Sequence, residues 1–98
     1  MDENDIRPDL SEAIEALVRR ELGPFGVERV EVLDSEDHYG DPAILVLVHY
    51  CDADADPDPN VTSALITKLN DLLFARKERR FGYIEHRVPE PARRIARK

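Results

Sequence analysis

The longest unbroken apolar stretch of the chain spans residues 43–51 and reads AILVLVHYC. It has the length of a β-strand and is too short to cross a bilayer. A strand with one face in water alternates apolar and polar side chains, whereas this stretch has no polar residue before His49. The pattern therefore predicts a central strand with apolar groups on both faces.

A helical period of apolar residues marks the segment before this strand. Residues 10–22 place Leu10, Ile14 and further apolar side chains on one face. Asp9 occupies the predicted N-cap, with an acidic residue three positions later, as in a capping box. Gly23 provides the predicted C-cap and is followed by a proline that cannot continue the helix.

A second helix is predicted after the central strand, over residues 59–77. Residues 52–58 alternate Asp with Ala and Pro, which favours neither helix nor strand and predicts a linker. Asp58 or Asn60 is expected to cap the helix, whose broad apolar stripe follows. Basic residues gather at its predicted C-terminus, where they complement the helix dipole; they are Arg76, Lys77, Arg79 and Arg80.

Two further segments have strand character. Residues 27–34 alternate apolar and charged side chains, as in an edge strand, and the turn-rich residues 35–42 then lead into the central strand as a hairpin. Residues 81–88 form a predicted last strand, which is stopped by Pro89. The order α-β-β-α-β indicates an α+β fold with a three-stranded mixed sheet and both helices on one face.

Two helices on one sheet face leave the other face bare. One alternating set of the central strand would then meet water, and burying each aliphatic side chain is worth about 1.5–3 kcal/mol. We therefore expect a homodimer formed through the open sheet face. Either of two sets can lie there: Ile44, Val46, Val48 and Tyr50, or Ala43, Leu45, Leu47, His49 and Cys51.

Composition limits the class of protein. The 98 residues, 42% hydrophobic and 36% charged, suit one soluble α+β domain over residues 1–88, followed by a basic tail with prolines at 89–98. The acidic N-terminus does not look like a signal peptide, and the lone Cys51 fits a reducing compartment, where we expect it to be a buried thiol. These features predict a cytoplasmic protein without membrane association.

The net charge of −7 is unevenly distributed. Residues 1–75 carry 18 acidic and 5 basic residues, whereas residues 76–98 carry 9 basic and 3 acidic residues. The acidic body repels nucleic acid phosphates and suits a basic protein partner. The basic C-terminal segment can act separately from this body, and the alternative function is nucleic-acid binding through five of its residues: Arg76, Arg79, Arg80, Arg93 and Arg94.

Candidate chemical motifs are incomplete. The Asp52 run begins like a calcium loop but lacks its Gly and its final Glu. His49, Cys51 and His86 could approach one another on adjacent strands, yet their spacing matches no zinc motif and the acidic surroundings disfavour a thiolate nucleophile. A GxxG sequence at residues 23–26 lacks the basic, helix-joining context of a KH loop. We expect no metal and no cofactor.

Two segments resemble a pattern found in short bacterial proteins that have no established activity. Residues 37–44 read DHYGDPAI, an acidic Gly-Asp-Pro loop that enters an apolar strand. Residues 80–84 read RFGYI, with Gly82 where the pattern has proline. The resemblance implies a prokaryotic accessory protein, in some cases encoded beside toxin–antitoxin-like genes, and assigns no catalytic residue.

The leading hypothesis is a non-enzymatic, dimeric protein-interaction module, an acidic partner of the antitoxin kind. A small enzyme using His38, Asp41 or His86 ranks below it, because these residues lack a nucleophile or a metal pattern. The loop before the central strand is the most site-like, since polar and aromatic side chains meet there on a rigid support. The predicted partner-binding residues are His38, Tyr39, Asp41, Val46, Val48 and Tyr50.

Overall fold

A computed structural model of the chain describes residues 6–90. Its elements follow the order α-β-β-α-β, with a short 3₁₀ turn after the first helix. Among these residues, no helix is both long and apolar enough to cross a membrane. The elements are α1 at Pro8–Leu22, β1 at Val27–Glu36, β2 at Pro42–Tyr50, α2 at Pro59–Ala75 and β3 at Phe81–Arg87.

The sheet has the predicted topology. The strand order is β1-β2-β3, so the apolar strand β2 is central. β1 pairs antiparallel with β2 through a hairpin, and β3 pairs parallel with β2 after the α2 crossover. A parallel neighbour is the usual outcome of a strand-helix-strand connection. The α+β fold class is confirmed.

The start of α1 differs from the prediction, whereas its end agrees. The helix begins at Pro8, where a missing N–H is harmless, and its N-cap residue Arg7 makes no side-chain cap. Asp9 lies in the first turn and is not the cap. The helix ends at Leu22 with Gly23 as its C-cap, as predicted, but Gly23 has right-handed φ and ψ and starts the 3₁₀ turn, and the left-handed conformation falls on Gly26, at φ 84°.

The start of α2 follows the sequence closely. The Asp58 side chain accepts a hydrogen bond from the Asn60 amide (2.8 Å), which confirms Asp58 as the N-cap. The helix ends at Ala75, shorter than predicted, and Lys77 turns the chain with a positive φ of 62°. The basic cluster therefore lies just beyond the helix and in the turn that leads to β3.

One hydrophobic core lies between the helices and one sheet face. Buried residues of α1 and α2 join a single cluster with Ile44, Val46, Val48 and Tyr50 of β2. Val46 and Val48 are fully buried and Tyr50 is 1% exposed. These three residues were predicted to bind a partner on the open face, and that placement is wrong because the helices cover them.

Gly82 sets how closely β3 approaches α2. A Cβ at this position would lie 2.7 Å from Leu69 Cδ2 and 2.9 Å from Leu73 Cδ1, so a larger residue requires these leucine side chains, or the helix that carries them, to shift. Asn70 of α2 also accepts a hydrogen bond from the Gly82 amide (2.8 Å) and donates one to the Gly82 carbonyl (3.1 Å). The strand is thus fixed directly to the helix.

Candidate interaction surface

The sheet face opposite the helices is not covered by any element among residues 6–90, and we call it the open face. Strand pairing arranges its side chains in four rows across the three strands. From the hairpin end, the rows are Ser35, Ala43 and Phe81; Leu33, Leu45 and Tyr83; Glu31, Leu47 and Glu85; and Arg29, His49 and Arg87. Half of the face is therefore apolar and half is ionic.

The first two rows form the apolar end of the open face. Phe81 is 51% exposed, Leu33 is 39% exposed and Tyr83 is 36% exposed. The rings of Phe81 and Tyr83 meet edge to face with centroids 5.1 Å apart, which is a favourable aromatic geometry. Large apolar side chains grouped in this way on a charged molecule are typical of a binding surface.

The last two rows form an ionic end whose charges are already paired. Arg29 forms an ion pair with Glu31 along β1, and Arg87 donates a hydrogen bond to Glu85 along β3 (2.6 Å). His49 lies between them on β2, with Nε2 3.3 Å from a Glu31 oxygen. That contact lacks hydrogen-bond geometry, and the buried Nε2 has no hydrogen-bond partner among the described residues.

The hairpin loop at residues 37–41 stands beside the apolar end. The Asp37 carboxylate accepts hydrogen bonds from the amides of Tyr39 (2.8 Å) and Asp41 (2.9 Å). The Asp37 amide donates to the Asp41 carbonyl, and Gly40 adopts a φ of 84° that suits glycine. These contacts fix the loop, and they leave Tyr39 81% exposed at its tip.

A shallow cavity of about 240 Å³ opens between the loop and the open face. The predicted site residue His38 lines it, and its ring contacts that of Tyr39 with centroids 4.4 Å apart. Tyr39 itself does not line the cavity. The lining residues are Ser35, Glu36, Asp37, His38, Ala43, Leu45 and Tyr83.

The structure separates the residues that were considered as zinc ligands or as a nucleophile with its base. His86 pairs with Val48 on the covered face, whereas His49 lies on the open face. Cys51 follows the end of β2 and is exposed, so the expectation of a buried thiol is wrong. Within residues 6–90, no three side chains of His, Cys, Asp or Glu are close enough together to hold a metal ion.

His86 instead interacts with Tyr50 at the end of the core. A hydrogen bond of 2.7 Å joins the Tyr50 hydroxyl and His86 Nδ1, and the rings stack at 5.8 Å. Partial shielding of the ring by the core lowers the pKa of His86, although the residue as a whole is exposed, and burial raises the pKa of Tyr50. The pair therefore favours a neutral imidazole and a neutral phenol.

The acidic linker has a local structural role. The Asp52 side chain accepts a hydrogen bond from the Asp54 amide (3.0 Å), while Asp58 caps α2. Such contacts are typical of turn-forming aspartates. They account for both residues without a bound calcium ion.

The basic segment is only partly available to a phosphate ligand. Arg80 donates hydrogen bonds to Glu78 (2.9 Å) and to Asp34 (3.2 Å), and its side chain is 13% exposed. The Arg80 hydrogen bonds also lower the pKa of Glu78. Arg76 lies 3.9 Å from an Asp9 oxygen, and Arg79 is exposed. The predicted contacts Arg93 and Arg94 lie outside the described residues.

The apolar end of the open face was not among the sites predicted from the sequence. Its most exposed members lie on the edge strands and not on β2, namely Leu33, Phe81 and Tyr83. A signal was present in the alternation Phe81-Gly82-Tyr83. A glycine between two aromatic residues suits close contact with a helix on one face and places both rings on the other.

Comparison of the chain with protein-family models, curated proteins and solved structures finds no match. The fold and the site together define a small α+β domain whose helices cover one sheet face, while no element of residues 6–90 covers the other.

Proposed function

We propose that the chain is a non-enzymatic protein-interaction module that forms a homodimer through the open face. The observation that carries this proposal is the apolar end of that face, with Phe81, Leu33 and Tyr83 exposed together. A second copy of the chain presents the same surface, and an interface with two-fold symmetry needs only a self-complementary patch.

Charge on the open face supports this choice of partner. Two copies with a net charge of −7 repel each other at long range. The open face itself carries two arginines and two glutamates, which pair within each strand as Arg29 with Glu31 and Arg87 with Glu85. Two such faces can approach without bringing unpaired like charges together.

Contacts at the edge of the sheet favour face-to-face association over strand addition at β3. The Asn70 side chain forms hydrogen bonds with both the amide and the carbonyl of Gly82. An incoming strand cannot use these two groups, and blocking an edge in this way is a common protection against unwanted pairing. At Gly82 the β3 edge is therefore closed to an added strand.

Sedimentation of the full chain over a range from low micromolar to millimolar concentration tests this proposal. A reversible shift from the 11.2 kDa monomer towards twice that mass is the expected result. A Leu33→Asp variant that stays folded by circular dichroism should remain monomeric, because Leu33 is 39% exposed on the open face and the dimer would place two such charges in the proposed interface. A wild-type chain that stays monomeric throughout the range would overturn the proposal.

We further propose, from the acidic body at residues 1–75, that the dimer binds a basic protein in the manner of an antitoxin. Residues 1–75, with a net charge of −13, would steer such a partner to the domain. Affinity capture at low and moderate salt should retain a stoichiometric basic protein, with binding that weakens as salt rises. Recovery of no stoichiometric partner at either salt concentration would refute this role.

A further inference from the structure

The open face alone is small for a stable dimer. Three strands spaced about 4.8 Å apart, with about seven paired residues rising about 3.3 Å each, cover a projected area on the order of 300 Å². A typical stable interface buries about 800 Å² of accessible surface on each partner, and the accessible surface of a face exceeds its projected area because side chains stand out from the sheet. The hairpin loop is the nearest element that projects beyond the sheet, and its contacts would enlarge the interface.

We propose that the hairpin loops of the two copies make reciprocal contacts, which we call the loop exchange, without any swapping of chain segments. In this arrangement Tyr39 of each copy fills the cavity beside Leu45 and Tyr83 of the other. This inference rests on the dimer proposed above and names the contact that completes it. Tyr39 and the cavity lie at the same end of the molecule. A single two-fold operation can therefore make both contacts at once.

The loop is suited to act as an anchor because its conformation is fixed within the monomer. Both amide hydrogen bonds to the Asp37 carboxylate hold the backbone on either side of Gly40. Ordering a loop on binding lowers affinity, and a preorganised loop avoids that loss. A rigid loop with an 81% exposed tyrosine at its tip has the features of an interface hot spot.

The cavity matches one aromatic side chain in size and chemistry. At about 240 Å³, it lies below the roughly 300–1,000 Å³ typical of small-molecule sites. Leu45 and Tyr83 supply apolar and aromatic walls, and Glu36 supplies a carboxylate that can accept a hydrogen bond from a phenol. Tyr39 of the same copy does not line the cavity, so the cavity is free to accept a side chain from another copy.

Two variants of Tyr39 and one control variant, each made in the full chain, test the contact by sedimentation equilibrium. Tyr39→Ala should weaken dimerisation by roughly 30-fold or more, as expected for a tyrosine anchor. Tyr39→Phe keeps the ring and should weaken it much less. Phe74→Ala removes an aromatic ring that is 85% exposed on α2, away from the open face, and should leave the dimer unchanged.

Photo-cross-linking identifies the partner surface directly. Tyr39 is replaced with p-benzoylphenylalanine in a ¹⁵N-labelled chain, which is then mixed with unlabelled chain. The expected cross-links join the labelled loop to unlabelled peptides that contain Leu45 or Tyr83. A wild-type dimer that Tyr39→Ala leaves intact, or that cross-links elsewhere, overturns the loop exchange and leaves the dimer standing. A monomeric wild-type chain overturns both.

Discussion

The contribution of Phe81 to dimerisation can be calculated from its position on the open face. The ring is 51% exposed and contacts Tyr83 edge to face, so it is held in place before a partner arrives. We consider the variant Phe81→Ser, which removes the ring without adding a charge. Because the β3 backbone is held by β2 and Asn70, we expect the strand to remain in place.

The expected loss follows from the area that the dimer would bury. An aromatic side chain presents about 200 Å², so half of it is about 100 Å² and is worth about 2.5 kcal/mol at 25 cal/mol per Å². A symmetric dimer contains the ring twice, which sets an upper limit of about 5 kcal/mol. If the partner covers at least half of this area, the dissociation constant rises by roughly two to three orders of magnitude.

The assay is a dilution series measured by sedimentation equilibrium, with thermal melts of each variant as a test of folding. Phe74→Ser is the matched control, because Phe74 is even more exposed, at 85%, but lies on α2. Its dissociation constant should stay within about twofold of wild type, the range of surface substitutions outside an interface. If the two variants weaken the dimer equally, or if Phe81→Ser leaves it unchanged, the open face is not the interface.

Two further predictions concern the stability of the domain itself. Gly82→Ala should lower the free energy of unfolding by about 1–3 kcal/mol, because its Cβ meets Leu69 at 2.7 Å. Gly23→Ala, where a Cβ meets nothing within 4 Å, is the control in chemical denaturation and should not destabilise the chain. For His86, burial lowers the folded pKa below 6.5, so its contribution to stability is present above pH 6.5 and is lost as the pH falls through the lowered value. Thermal melts should show the wild type losing stability relative to His86→Asn over that window, and a constant difference between the two chains would contradict this assignment.

The element order and the strand pairing could be predicted because local signals agree with the global fold. The period of the apolar residues marks both helices, and Asp58 caps the second one. The start of α1 was less predictable, because the helix begins at Pro8 with Arg7 as its N-cap and Asp9 lies in the first turn. Its end at Leu22 and its C-cap Gly23 were predicted, but the positive φ falls on Gly26, and since any glycine tolerates a positive φ the sequence alone did not show which one adopts it.

The covered face of the sheet could not be chosen from β2, since both of its alternating sets are apolar. The neighbouring strands β1 and β3 show which face the helices cover. Val30 and Val32 of β1 pair with Val48 and Val46 and pack against the core. Gly82 of β3 pairs with Ile44 and leaves room for α2. The placement of Val46, Val48 and Tyr50 on the open face failed because β2 was considered without its neighbours.

The apolar character of β2 is itself a weak argument for a partner. Ala43 and Leu47 lie on the open face, yet they are only 1% and 8% exposed, although neither helix of residues 6–90 covers them. Leu47 is flanked by Glu31 and Glu85 on the adjacent strands, and a central residue loses most of its accessible area to such neighbours. The apolar area left for a partner belongs mainly to the edge strands. An interface should therefore be sought by substituting Phe81, Tyr83 and Leu33 before any residue of β2.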